Sequence, residues 1–476
     1  MAVISTAIGL LACAADPDGA TNRKAYHDRL EAAFDELEAK GFTGVVGVAM
    51  NGEAPVFRGM GAAKNGVPDK NRLVDIGSIT KTITAVAVMK LVDNGLLDTA
   101  DTLGDIFEEA PADKTNITVH QLLTHSAGMP GAIGDDYEKL KKDAFLKRMF
   151  AAPLISAPGS AYAYSNVGYS VLAAIIEKRS GKSYDAFLRE DVFAGTGVNN
   201  IGYANGYDSA RSLLSSDGGD IASVSWGGDQ AYWNLVGNGG LTATAKDFLL
   251  FRSKFVRGEI VSPQSVKIIQ TAHIREGEGA PSFYGYGLVV QDNPKLGHFY
   301  WHNGANMHFT SNWTDHSDKG LVIFTASSSP DIDADTAYLI IISALLDIKL
   351  SEKRMDAPDE AADGAAPNSA MAAKINAFAT AFTSAVQSDD PADWEKYILD
   401  YGADAFIALA PMEAHMHKFK SIHMELKELE VTGIRVTDDG QINLEMRHPV
   451  HKTQTIVHLG YAGTEDLKLT GLGIDN

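Results

Sequence analysis

The chain has 476 residues, 45% of them apolar and 21% charged, a balance that describes a globular protein too long for one ordinary core and therefore built from two or three domains. Its net charge of −20 repels phosphate backbones and anionic lipid, which argues against nucleic acid as a partner. The single cysteine, Cys13, excludes an internal disulfide and any cysteine-built metal cluster.

Residues 1–20, MAVISTAIGLLACAADPDGA, carry an apolar run of signal-peptide length, too short to span a bilayer as a helix, then small residues and a polar break. The expectation is a leader and an exported, periplasmic or extracellular chain. Within the run, LLAC resembles the lipobox of bacterial lipoproteins, which implies a lipid anchor at Cys13. No Lys or Arg precedes the run, so a mis-chosen start or a buried N-terminal segment remains the alternative.

Tyr26, Leu30, Phe34 and Leu37 then share one helical face that Gly41 ends. FTGVVGVAM and APVFRG are predicted strands joined at Asn51-Gly52. From Ser78 to about Phe255 the pattern is mainly helical with Gly-rich connections, and Thr244 with Asp247 spells a capping box. Strand patterns return at GYGLVV, GHFYWHNG, FTSNWTD and GLVIFTAS, with a turn over Asp318 to Gly320, before the helix DADTAYLIIISALLDI. Strands at both ends with helices between them predict a sheet completed by distant parts of the chain, a helical insertion, and a cleft where the two meet.

Residues 351–370 are rich in Ala, Asp, Glu and Pro without apolar periodicity and are expected to be a linker. Residues 371–476 form a second, small α+β unit. There Ile375, Phe378, Phe382 and Val386 make one helical stripe, Asp390-Pro391 opens another helix, and four strand-like runs follow, the first two joined over Asp438-Asp439-Gly440.

The chemistry concentrates at DIGSITKTITAVAVMKL. Ser78 and Lys81 stand three apart and share a helical face. Serine needs a base within hydrogen-bond reach to act as a nucleophile. The positive end of the helix dipole and the apolar surroundings both disfavour an ammonium at Lys81, and a neutral amine beside a hydroxyl is a usable base. A bare SxxK is frequent by chance, and an ordinary helix start explains it equally well. Its company changes that: Tyr164-Ser165-Asn166 precedes a helical pattern, and His302-Asn303-Gly304 lies among strands.

These three motifs in this order resemble the serine β-lactamase and penicillin-binding protein superfamily, in its class C and DD-peptidase branch with D-aminopeptidases and family VIII esterases. LLTHSAGMP, GNGGLTATAKDF and YGYGLVV are similar to the same branch, and the likeness covers about Leu30 to Leu350. It implies an α+β fold over 22–350: a β-lactamase/transpeptidase-like antiparallel sheet flanked by helices, with a mostly helical insertion. By resemblance Ser78 is the acylated nucleophile, Lys81 takes its proton, and Tyr164 relays a proton to the leaving group. Asn166 would hydrogen-bond Lys81 and the substrate, and the oxyanion would lie between the backbone N–H groups of Ser78 and Ala305, beside Asn303 and Gly304. Gly304 fits a strand that passes close to bound substrate. The implied substrates are small molecules or peptides with an amide or ester bond, and no cofactor or metal is implied.

His302 departs from efficient class C β-lactamases, which carry lysine there. A histidine only partly charged at neutral pH holds a substrate carboxylate less firmly, which lowers the expectation of strong β-lactamase activity. Family VIII esterases often have a tryptophan in this motif, and Trp301 precedes His302, so an esterase stays in view beside a D-Ala-D-Ala carboxypeptidase or D-aminopeptidase, with a non-hydrolytic cell-wall or penicillin receptor as the alternative of another class.

Other polar groupings are weaker. Asp331, Asp333 and Asp335 imitate the start of a calcium loop, but Thr336 and Ile342 stand where glycine and a bidentate glutamate are needed, and an acidic helix N-terminus explains them better. His415, His417 and His423 lack supporting carboxylates and are expected to be packed or solvated. His125 is expected to brace a loop, and Tyr162 lacks the asparagine at plus two that marks Tyr164. The second unit loosely resembles an NTF2-like or cystatin-like cone, which implies a homo-oligomer contact or an edge cover ahead of small-ligand binding.

Overall fold

The computed structural model describes residues 17–348 and 369–475, except 51–52, 64–65, 204–231, 278–279, 307, 330–331, 403–406, 408–411, 428, 437–440, 448–453 and 463–466. Cys13, the Asn51-Gly52 turn, Asp331, the Asp438-Asp439-Gly440 turn and residues 351–368 of the expected linker lie outside the described residues. The chain divides into two units between Pro358 and Asp359.

The first unit is organised by one eight-stranded antiparallel sheet. Helix α1 (Pro17–Ala39) starts inside the expected leader, and Gly41, at φ +84°, ends its turn. Strands β1 (Gly44–Met50) and β2 (Val56–Met60) pair with each other, and β1 also pairs with β11 (Leu321–Ser327). The sheet continues through β10 (Phe309–His316), β9 (Gly297–Asn306), β8 (Val289–Asn293), β7 (Ser282–Tyr284) and β6 (Ile274–Arg275). Its order, β2-β1-β11-β10-β9-β8-β7-β6, joins both ends of the unit, as the strand pattern predicts. The GYGLVV stretch is strand only from Val289, because Gly287 turns at φ +70°.

Side-chain alternation assigns the two faces. Phe324 stacks on Phe248 of α8 (Ala245–Val256) with centroids 4.8 Å apart, while the adjacent Thr325 donates to Ala334 O of α10 (Ala334–Leu346) at 2.7 Å. α1 packs with α10 on that second face. Between β2 and β6 lie α2 (Thr80–Asp93), α3 (Leu103–Ile106), α4 (Val119–Leu123), α5 (Lys142–Ala151), α6 (Asn166–Ser180), α7 (Tyr184–Phe187), α8 and α9 (Pro263–Ile269). A small sheet, β3 (Val74–Asp75), β5 (Thr242–Ala243) and β4 (Ile201–Gly202), completes the unit. Eleven of the 14 residues of α2 are buried, so this helix has no solvent face and belongs to the core. Thr244 caps α8 by accepting from Asp247 N–H, but the Asp247 carboxylate does not close the expected box; it accepts from the backbone N–H groups of Asn199 and Asn200 instead.

In the second unit, α11 (Ser369–Gln387), α12 (Pro391–Tyr401) and the helix Met412–Leu426 cover a four-stranded antiparallel meander from Glu430 to Asp475. Ile375, Phe378, Phe382 and Val386 all enter its core, and Asp390 caps α12 with Pro391 in its first turn. His415 and His423 face the carbonyls of Ile407 and Val386. Among the described residues no helix is long and apolar enough to cross a membrane.

One buried ion pair ties α8 to the sheet: Arg252 donates Nε and Nη2 to the two Asp315 oxygens at 2.7 and 2.6 Å, and Asp315 is fully buried. Arg252→Met strands that carboxylate in the core and is expected to lower the unfolding free energy by about 3–5 kcal/mol, while adding Asp315→Leu restores most of the loss. Chemical denaturation of both variants checks this, and an Arg252→Met protein as stable as the wild type would contradict it.

Candidate active site

Two glycines set the geometry of the site. Ser78 lies in a 3₁₀ turn, Gly77–Ile79, that leads into α2, with Gly77 at φ +45°. A Cβ on Gly77 would lie 2.6 Å from Ala305 N, and one on Gly304 would lie 2.7 Å from Ser78 N and 2.3 Å from Ile76 O. The nucleophile turn and β9 therefore run in direct backbone contact, with the amides of Ser78 and Ala305 adjacent. Side chains pin the contact: Ser311 Oγ donates to Ile76 O at 2.9 Å, and Asn306 Nδ2 donates to Asp75 Oδ1 at 2.5 Å.

Lys81 is the second residue of α2 and has no exposed surface. Its Nζ is 3.0 Å from Ser78 Oγ and donates to Asn238 O at 2.9 Å, with the Tyr164 ring centroid 4.7 Å away. Burial holds its pKa well below the ordinary lysine value. Tyr164 stands beside Ser78 and, although 39% exposed as a residue, has its pKa raised above that of a free phenol by desolvation. One serine oxygen thus meets an amine that holds its proton less firmly than an exposed lysine and a phenol that holds its own more firmly. Tyr162 turns elsewhere and donates to Glu276 Oε1 at 3.0 Å.

The turn that carries Tyr164 is built locally. Ser165 caps α6 by accepting from Gly168 N–H at 3.0 Å, and its own hydroxyl donates to Pro130 O at 2.7 Å. Ser165 N–H donates to His125 Nδ1 at 3.0 Å, and the His125 ring lies 4.3 Å from that of Tyr164. His125 has φ +56°, a left-handed conformation uncommon outside glycine, held here by buried packing.

Three expected roles differ in the structure. Asn166 Oδ1 has no hydrogen-bond partner and does not reach Lys81; the Asn238 carbonyl takes that place. Asn238 is fixed by donating Nδ2 to Ser170 Oγ at 2.8 Å. A backbone carbonyl has no side-chain signature, although the GNGGLTATAKDF stretch that holds Asn238 is among the motif-like segments. His302 is not a substrate-facing cation: burial pushes its pKa down to about 3, its Nδ1 donates to Asn303 O at 2.6 Å, and its Nε2 accepts from Tyr284 Oη at 3.1 Å. Asn303 does not line the oxyanion position with its side chain, because Nδ2 donates to Asp335 Oδ2 at 3.0 Å. The same Asp335 accepts from Asn312 Nδ2 at 2.7 Å, so this acidic residue at the start of α10 braces β9 against β10. Trp301 alternates to the face opposite His302 and donates to Gln291 Oε1 at 3.0 Å.

Gly304→Ala would drive a methyl group between Ile76 O and Ser78 N. The expected outcome is a loss in kcat/KM of about 10²–10³-fold. Ester hydrolysis by the purified variant checks it, and wild-type rates would show that the two backbones do not form the oxyanion site.

Penicillin-binding protein 4* of Bacillus subtilis is 25% identical over 365 residues, covering 70% of this chain and 78% of its own length. The D-alanyl-D-alanine-carboxypeptidase/endopeptidase AmpH of Escherichia coli is 27% identical over 232 residues, 46% of this chain and 59% of that protein. Among solved structures, the octameric penicillin-binding protein homologue from Pyrococcus abyssi shares the fold with a TM-score of 0.58 at 19% identity, covering 93% of both chains. The family model described as Beta-lactamase matches residues 28–345, more than half of the chain, and with Ser78, Lys81 and Tyr164 meeting inside that span the chain belongs to the β-lactamase family of serine hydrolases.

Proposed function

We propose that the protein cleaves an amide or ester through an acyl-enzyme on Ser78, with D-amino-acid peptides or related small amides as substrates. The observation that carries this reading is the pairing of a fully buried Lys81 amine, its pKa held well below the ordinary lysine value, with Ser78 Oγ at 3.0 Å. Ser78 Oγ adds to the carbonyl carbon while its proton passes to Lys81 Nζ, and the oxyanion develops between the amides of Ser78 and Ala305. As the intermediate collapses, the bond from carbonyl carbon to leaving group breaks. The leaving group takes the Tyr164 proton, and the Lys81 ammonium replaces it. Water then adds to the acyl carbon and gives up a proton through the same pair, and the bond to Ser78 Oγ breaks as that oxygen is reprotonated.

A neutral His302 offers no charge for a carboxylate on the substrate, which weighs further against strong β-lactamase activity. An intact Ser78, Lys81 and Tyr164 weighs against a receptor that binds without turnover.

Incubation with a fluorophosphonate is expected to add one adduct to the peptide that holds Ser78. Ser78→Ala should abolish the adduct and lower hydrolysis of D-alanyl amides and short esters by on the order of 10⁴-fold or more. Unchanged hydrolysis in Ser78→Ala would contradict the reading.

A further inference from the structure

Tyr164 has to deliver a proton at one place, yet it is 39% exposed and stands on the loop ahead of α6. A phenol so placed keeps several rotamers unless something holds it. His125 holds it. Ala163 N–H donates to His125 O at 2.8 Å and Ser165 N–H donates to His125 Nδ1 at 3.0 Å, so one residue grips the chain on both sides of Tyr164. Between these two bonds the Tyr164 ring lies against the imidazole, with centroids 4.3 Å apart and planes 37° from parallel.

His125 is itself fixed. Gly159 N–H donates to Ser126 O at 2.7 Å and Ile155 N–H to Gly128 O at 2.8 Å, so the loop that follows His125 is stitched to the segment that leads to Tyr164. The rings of Tyr284 and Tyr169 lie 4.6 and 4.9 Å from the imidazole. Both are anchored at their far ends, Tyr284 Oη on His302 Nε2 and Tyr169 Oη on Leu123 O. Packing alone would favour another residue at this position. His125 is 1% exposed, takes a left-handed backbone at φ +56°, and buries an Nε2 that has no partner among the described residues. That nitrogen carries the ring proton, because Nδ1 accepts. Both features are unfavourable in a buried side chain, and features of this kind persist where they serve a site. The ring pKa is held well below the ordinary histidine value by burial and by Lys81, which keeps Nδ1 an acceptor.

We propose that His125 is a positioning residue for the leaving-group acid: it holds the chain on both sides of Tyr164 and lays its imidazole against the phenol, which aims Tyr164 Oη at the departing atom and sets the capacity of the site for amides over activated esters. The inference rests on the roles proposed above for Ser78 and Tyr164. An amide nitrogen must take up a proton as its bond to the carbonyl carbon breaks, and that proton comes from Tyr164 Oη. A thiolate leaves without one. A misaimed phenol therefore slows amide cleavage and spares thioester cleavage, whereas a general loss of packing slows both alike.

The test compares kcat/KM, which reads acylation alone, for the p-nitroanilide and the thiobenzyl ester of D-alanine in the full-length wild type, His125→Leu and His125→Asn. A fluorophosphonate adduct on Ser78 counts the folded sites in each protein. Leucine keeps bulk but supplies neither acceptor nor ring, so His125→Leu should lower anilide cleavage per site by about 10²-fold and ester cleavage by less than about threefold. Asparagine tolerates a left-handed backbone and returns an acceptor for Ser165 N–H, so His125→Asn should recover anilide cleavage to within about tenfold of the wild type. Equal losses on the two substrates, wild-type ratios in both variants, or no adduct in either overturn the proposal and leave His125 a brace of the fold. If only His125→Leu yields no adduct, His125→Asn decides: its ester-to-anilide ratio should rise at least about threefold, for want of the ring, and a wild-type ratio overturns the proposal. A wild type that does not cleave the anilide overturns it too, while the Ser78 adduct keeps the nucleophile standing. Absence of the adduct in the wild type overturns the assignment of Ser78 as well.

Discussion

Burying an amine without giving it a carboxylate to bond decides the chemistry of this site. A charged ammonium at the zero exposure of Lys81 would lose its hydration for a carbonyl, a hydroxyl and the faces of two tyrosine rings. Proteins meet that cost by releasing the proton. Asp136 pulls in the opposite direction, but the desolvation of a fully buried amine is the larger effect, so burial prevails. The amine therefore gives up its proton more readily than an exposed lysine does, which suits the base assigned to it above.

That burial is a property of the whole first unit. α2 has neighbours on all sides because α6 and the loop through Asn238 close over it, and the Ser170–Asn238 hydrogen bond fixes the carbonyl that orients Lys81. The sheet supplies the other wall. Gly77 and Gly304 let the nucleophile turn and β9 touch, and Asp335 reaches across from α10 to hold β9 and β10 together. Base and electrophile-binding wall thus come from different layers, and Ser78 sits where they meet.

Much of this is legible in the sequence, for reasons that differ by element. Ser78 and Lys81 are three apart on one helix, so their approach is fixed by local geometry alone. Tyr164 is distinguished from Tyr162 by its motif, and the sheet that joins both ends of the unit follows from strand patterns at those ends. Gly304 is recognisable because a close backbone approach requires a residue without a side chain. What escapes is set by tertiary packing. The charge state of His302 depends on how deeply β9 is buried and on a proton from Tyr284, eighteen residues away in sequence. The role of Asn238 passes through a backbone oxygen, which leaves no mark in the sequence. The Thr244–Asp247 box is half right because distant N–H groups of Asn199 and Asn200 compete for the same carboxylate.

The most direct measurement of the central claim is the rate of Ser78 acylation by a fluorophosphonate as a function of pH. A lysine with its ordinary pKa of 10.5 would make that rate climb about tenfold per pH unit from neutrality toward that value. With the Lys81 pKa held well below that value by burial, the rate should level off well before about pH 10 and fall on the acid side, as the amine takes up a proton. A rate still rising through pH 9 would contradict the account.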